Sequence, residues 1–168
     1  MLLPSGPLAI KPVPGASVAP VLAVAVMPGS GACVPFVRQW VRAVAALAGC
    51  AGDELELAVA ELVTNAVRHS RSGGAGGVVT VIVAAGPGAA VLHVHDQGTA
   101  TGQVPHIKTG RAARLRQSGR GLRLVAAICE HWAAGPAAHC PQAPPGDPAV
   151  TAGGYCVCCH ITPGTATP

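Results

Sequence analysis

The segment from Asp53 to about His69 does most to restrict how this chain can fold, because its apolar and polar residues recur at helical spacing on adjoining faces. Leu55, Val59, Leu62 and Ala66 form one stripe. Glu61, Asn65 and His69 follow at steps of four, each advancing only about 40° around the axis. Such a helix buries one side and carries a polar stripe along the border of that buried side. Asp53 is expected as its N-cap, with Glu54 and Glu56 in the first turn, where the helix dipole favours negative charge.

The rest of the chain supplies elements for this helix to pack against. Val21 to Met27 reads as a strand, and after the Pro28 to Gly31 turn Val34, Val37, Trp40, Val41, Val44 and Ala48 recur at helical spacing until Gly49. Beyond the Gly-rich loop Ser70 to Gly77, the β-branched run Val78 to Val83, the turn Gly86-Pro87-Gly88 and the run Ala90 to His95 predict a hairpin. In its second strand Ala90, Leu92, Val94 and Asp96 share one face, while Val91, His93 and His95 share the other. Asp96 therefore points where the apolar residues point.

After Gly119-Arg120-Gly121 a third helix places Leu122, Val125, Ala126, Cys129 and Trp132 on one stripe. Tyr155 to Ile161 resumes a strand pattern. This order implies an α/β (α+β) two-layer sandwich, a mixed, mostly antiparallel sheet covered on one face by helices. Residues 1–20 read as a flexible leader rich in Pro and Gly, 21–162 as one domain, and 163–168 as a tail. Within the domain, 136–154 is a long Pro/Gly-rich connection, expected as a hairpin link or surface excursion. Thr99 to Ser118 carries Lys108, Arg111, Arg114 and Arg116 without a clear period, and a loop of that length in a compact domain is usually functional or disordered.

Composition narrows the partners. Eleven Lys and Arg against seven Asp and Glu give a formal charge of only +4, and aromatics are 2%, so a nucleic-acid partner is not favoured. Ala16 to Met27 is broken by Pro20 and too short to span a bilayer, and the N-terminus lacks the pattern of a secretory signal, so no membrane association and a cytoplasmic location are expected. The seven cysteines suit buried thiols better than a disulfide framework. A metal at the Cys-x-Cys-Cys-His run ending at His160 is disfavoured, because strand alternation sends neighbouring side chains to opposite faces.

Three separated signals carry chemistry. On one edge of the second helix, the amide oxygen of Asn65 and the carboxylate of Glu61 can converge on a hydrated Mg²⁺ and on a group reacting with a terminal phosphate. Asp96-Gln97-Gly98 ends a strand with an inward acid, able to accept from an adenine amino group, beside a residue with no side chain to block the ring. Gly119-Arg120-Gly121 opens the third helix with free amides suited to phosphate oxygens. Taken singly, the three also read as a solvated helix face, a turn and a connector.

In order and spacing the three signals resemble the nucleotide-binding module of the GHKL superfamily, also called the histidine-kinase-like or Bergerat ATP-binding domain. Glu61-Leu62-Val63-Thr64-Asn65-Ala66-Val67-Arg68-His69 is similar to its N-box, Asp96-Gln97-Gly98 to its adenine box and Gly119-Arg120-Gly121-Leu122 to its second glycine box. The resemblance covers roughly residues 30–161 and is closest to stand-alone actinobacterial anti-sigma-factor serine/threonine kinases. It implies that ATP and Mg²⁺ are bound, with Asn65 on the metal, Asp96 on the adenine amino group, Gly98, Gly119 and Gly121 allowing close backbone approach, and Glu61 activating the attacking hydroxyl or water. Arg120 and Leu122 complete the glycine box and His69 closes the N-box.

The implied partners are a sigma factor and/or an anti-anti-sigma-like protein, together with a homodimer through the sheet edge or first helix. Two functions follow from the same binding residues. One is a kinase that phosphorylates a serine on an antagonist protein; the other is a non-catalytic module in which ATP orders the Thr99 to Ser118 lid and so sets the surface offered to a partner. The extra basic residues before the glycine box and the long connection before the last strand depart from the family pattern. With no phosphoacceptor-histidine helix recognised ahead of the domain, a sensor histidine kinase is not expected.

Overall fold

A computed structural model describes residues 21–50, 52–99 and 120–162. The leader, the tail, and the lid apart from Thr99 lie outside the described residues. In chain order the elements are β1 (Val21–Pro28), α1 (Cys33–Ala48), α2 (Asp53–His69), a 3-10 turn (Arg71–Gly73), β2 (Val78–Gly86), β3 (Ala89–Asp96), α3 (Arg120–Ile128), β4 (His131–Pro136), a second 3-10 turn (Ala137–His139), the one-turn α4 (Pro148–Thr151) and β5 (Tyr155–Ile161). The five strands form one sheet in the order β1-β2-β3-β5-β4, and every pairing among these strands is antiparallel. α1 and α2 pack together and lie on one face, giving the two-layer α+β sandwich expected from the sequence.

The core sits between these layers because the two periodicities meet there. Val37, Val41, Val44 and Ala48 of α1 and Leu55, Val59, Leu62 and Ala66 of α2 are buried against Val79, Val81 and Val83 of β2 and Leu92 and Val94 of β3. Each buried Val or Leu side chain contributes roughly 1.5–3 kcal/mol relative to exposure. Across the helix pair, Arg38 Nε and Arg42 Nε of α1 donate to Glu56 of α2 at 2.8 and 2.9 Å. Those bonds, the Arg42 one foremost, hold the Glu56 carboxyl below the usual glutamate range.

Several local expectations are corrected. Asp53 is the first helical residue of α2, and the cap position falls on Gly52, with no side-chain cap bond. α3 ends at Ile128, and Trp132, expected on its stripe, lies instead in β4. Pairing with β5 overrides the local signal: Glu130 N–H donates to His160 O at 2.9 Å, and Trp132 stands opposite Cys159 in the ladder. The run His-Trp-Ala-Ala-Gly-Pro contains no β-branched residue, so the strand has no signature of its own.

The connection between β4 and β5 is a hairpin link, but it does not simply loop out. It folds back across the sheet face turned away from the helices, where Thr80, His93 and His95 are buried. Asp147 caps α4 by accepting from Ala149 N–H at 3.0 Å, and its Oδ1 also accepts from Thr80 Oγ1 of β2 at 3.0 Å. In β5 the alternation holds: Val157, Cys159 and Ile161 join the core under the helices, while Cys156 and Cys158 pack with Val91 on the other face. No helix among the described residues is long and apolar enough to cross a membrane.

Candidate functional site

Helix α2 carries three of the anticipated site residues along its border stripe. Glu61 and Asn65 are half-buried and His69 is exposed at the C-terminal end. Glu61 meets the first turn of α3: a Cβ on Gly121 would collide with Glu61 Oε2 and stand 3.3 Å from its Cδ, so a side chain there would displace the Glu61 carboxylate from its present position. Leu122 turns inward and is buried, anchoring the start of α3 in the core. Gly119 and the side chain of Arg120 lie outside the described residues.

Asp96 ends β3 on the helix side of the sheet, as alternation requires, and is 8% exposed. Its Oδ1 accepts from Gly98 N–H at 2.6 Å. Burial pushes its carboxyl above the usual aspartate range, opposed by the backbone amides of Gly98 and Tyr155. At Gly98 the chain takes a positive φ of 73°, and a Cβ there would come within 3.3 Å of Gly153 O. That is a conformation and a space suited to glycine.

The loop after Asp96 is held by residues that no sequence motif marked. Arg71 N–H donates to Gly98 O at 2.7 Å, Arg71 Nε to Gln97 O at 3.0 Å, and Arg71 Nη2 to Ala152 O at 2.7 Å. Gln97 N–H donates to Ser72 Oγ at 2.9 Å, and Gln97 Oε1 accepts from Val78 N–H at 3.0 Å. Behind the strand end, Gly154 runs so close that a Cβ on it would collide with Asp96 O and lie 2.9 Å from Gln97 Cα. Arg71 joins segments 26 and 81 residues away, separations across which a single sequence offers no signal. Its position immediately after the His69-Ser70 helix end was the one available hint.

Two groups of residues are thus brought together. Glu61 meets Gly121 near the middle of α2, and the continuation of α2 through Arg71 holds the Asp96 to Gly98 loop. Between them α2 acts as a ruler: Glu61 to His69 spans about 12 Å at the helical rise, with Asn65 midway. Among the described residues, His69, exposed at the helix end, makes no contact that assigns it a part in the site. The donors are oxygen-rich: a carboxylate and an amide on α2 at Glu61 and Asn65, and a buried carboxylate at the end of β3 at Asp96. It suits a ligand with a hydrogen-bond donor at one end and a hard cation with anionic groups at the other.

The family model described as Histidine kinase-like ATPase domain matches residues 30–140. The matched span runs from before α1 to the start of the β4–β5 connection, and so contains every residue of the two groups except Ala152 to Tyr155. No curated protein matches the chain.

Proposed function

Because this chain belongs to the histidine kinase-like ATPase domain family, with the ATP-binding regulatory role the family carries, we propose that it is an anti-sigma-factor-like serine/threonine protein kinase acting on an antagonist protein. The observation that carries the reading is the packing of the Glu61 carboxylate against Gly121 at the start of α3. A helix N-terminus is a favourable site for phosphate oxygens, so a carboxylate beside it supports the reading of Glu61 as a base near the terminal phosphate.

In this reading Asp96 accepts from the adenine amino group, and Gly98 leaves room for the ring. Asn65 would hold Mg²⁺ through its amide oxygen, a hard donor for a hard cation, and the metal would supply charge balance for the phosphates. Glu61 takes the proton from a serine hydroxyl of the partner as the serine oxygen attacks the terminal phosphorus and ADP departs. The partner is a sigma factor and/or an anti-anti-sigma-like protein. Leu22, Val24 and Val26, exposed along edge strand β1, support a homodimer through the sheet edge, which light scattering would reject by showing a monomer at high concentration.

The test begins with calorimetric titration of Mg²⁺–ATP into the protein, with Asn65→Ala as control. Saturable binding lost in Asn65→Ala is expected, and no binding by the wild type would sink the reading. Glu61→Ala should then retain ATP and lose phosphotransfer to the antagonist protein. Normal transfer by Glu61→Ala would refute the base assignment. ATP binding with no transfer even by the wild type would favour a non-catalytic, ATP-dependent interaction module.

A further inference from the structure

The sheet face turned away from the helices carries a side-chain cluster that nucleotide binding does not use. His93 and His95, two positions apart on β3, are both fully buried on that face. Cys156 of β5 stands opposite His95 in the ladder. Cys140, from the β4–β5 connection, closes over them: His93 Nδ1 lies 3.3 Å from Cys140 Sγ and 3.7 Å from Cys156 Sγ. One ligand atom from each of His93, His95, Cys140 and Cys156 lies within 4.8 Å of all the others.

The two nitrogen–sulfur separations at His93 are those of a coordination shell. Zinc bonds of about 2.0–2.1 Å to nitrogen and about 2.3 Å to sulfur make the nitrogen–sulfur edge of a tetrahedron roughly 3.5 Å. The two nitrogen–sulfur distances, 3.3 and 3.7 Å, bracket that value. The orientation of His95 adds an independent observation. Its Nδ1 lies 2.5 Å from Asp147 Oδ2, which assigns the Nδ1 proton to the carboxylate and leaves Nε2 as a lone-pair donor. That Nε2 is buried and makes no hydrogen bond among the described residues. A carboxylate behind the ring and a free nitrogen in front is the usual support of a metal-bound histidine. Asp147 is itself fixed by Thr80 Oγ1 and the Ala149 amide, each at 3.0 Å.

We propose that His93, His95, Cys140 and Cys156 bind a structural zinc ion. Two nitrogens and two sulfurs in tetrahedral array select zinc over the harder magnesium or calcium, and four protein ligands leave no position open for a substrate. Binding displaces the thiol protons of Cys140 and Cys156 to solvent as the two zinc–sulfur bonds form. The expectation that all seven cysteines are plain buried thiols is revised at these two positions. Strand alternation does exclude a site made of the Cys156 to His160 run alone, but partners arrive from β3 and from the connection.

The ion pins the β4–β5 connection to β3 and β5. The far end of that connection, Ala152 to Gly154, backs the Asp96 to Gly98 loop through Arg71 and the close passage of Gly154. Cys140 is the last residue of the family match and Cys156 lies beyond it, so the cluster is completed by chain outside the matched span.

Metal analysis of protein purified without chelator, followed by cobalt(II) titration of reduced apoprotein, tests the site. One zinc per chain is expected. Cobalt should bind at one equivalent with the strong ligand-field bands of a tetrahedral centre and a thiolate-to-cobalt charge-transfer band, both removed by zinc. Cys140→Ser and Cys156→Ser should each lose about half of the charge-transfer intensity, since each removes one of two thiolates, while Cys158→Ser leaves the spectrum unchanged. The wild-type spectrum decides the matter even if a variant fails to fold: weak octahedral bands without charge transfer would overturn the proposal. So would full intensity in both Cys140→Ser and Cys156→Ser, or a Cys140–Cys156 disulfide in the purified protein that takes up no metal after reduction. None of these readouts involves ATP, so the outcome is independent of the kinase reading.

Discussion

Replacing Asp96 by asparagine keeps the size of the side chain and changes only what its end can accept. In the native site Oδ1 is occupied by the Gly98 amide at 2.6 Å, and the Tyr155 amide also faces the carboxylate. An asparagine has one acceptor oxygen and one donor amide. If its oxygen serves the backbone amides, its NH₂ would meet the adenine amino group of the proposed complex, donor against donor; if reversed, it opposes the Gly98 N–H. At 8% exposure little water is available to relieve either mismatch. Losing a hydrogen bond to a charged acceptor costs about 1.5–3 kcal/mol, or roughly a ten- to 150-fold weaker Kd for ATP. Guanine presents an oxygen where adenine presents the amino group, so the same NH₂ should improve GTP binding and narrow the preference between the two. Parallel calorimetric titrations with Mg²⁺–ATP and Mg²⁺–GTP read both effects, and thermal denaturation checks that the fold survives. If Asp96→Asn binds ATP as tightly as the wild type and still rejects GTP, the carboxylate does not read the adenine edge.

Gly154→Ala should act on the same loop from behind, because its Cβ would land on Asp96 O, which is backbone and has no rotamer to yield. Overpacking of this kind costs about 1–3 kcal/mol, and a urea midpoint equal to that of the wild type would refute the close approach. Glu56 gives a pH signature. Its carboxyl is held below the ordinary glutamate range by Arg42 and Arg38, so its contribution is complete above the unfolded pKa and is lost as pH falls through the folded one. The stability gap between wild type and Glu56→Gln should therefore be widest near about pH 7 and close toward about pH 3; denaturation curves with a constant gap would exclude the pair as its cause.

The helical layer was legible from the sequence because periodicity is local. The stripes of α1 and α2 and the alternation that turns Asp96 toward the helices all follow from residue order alone, and the structure places them as read. So does the split of Cys156 and Cys158 from Cys159. Within the candidate site, Glu61, Asn65, Asp96 and Gly98 could be named because each sits at a marked position: a helix edge, a strand end or a glycine turn.

Tertiary structure alone decided the rest. β4 exists because β5 pairs with it, against a composition that reads as the end of a helix. The connection after it, though rich in Pro and Gly, has a fixed course, because Asp147 finds Thr80 and His95 at distances of 67 and 52 residues along the chain. Arg71 and Gly154 became part of the site, and Cys140 came to rest on His93, through contacts of the same long range. Local patterning determines which face a side chain takes; which distant residue it meets there depends on how the layers pack, and no residue order states that by itself.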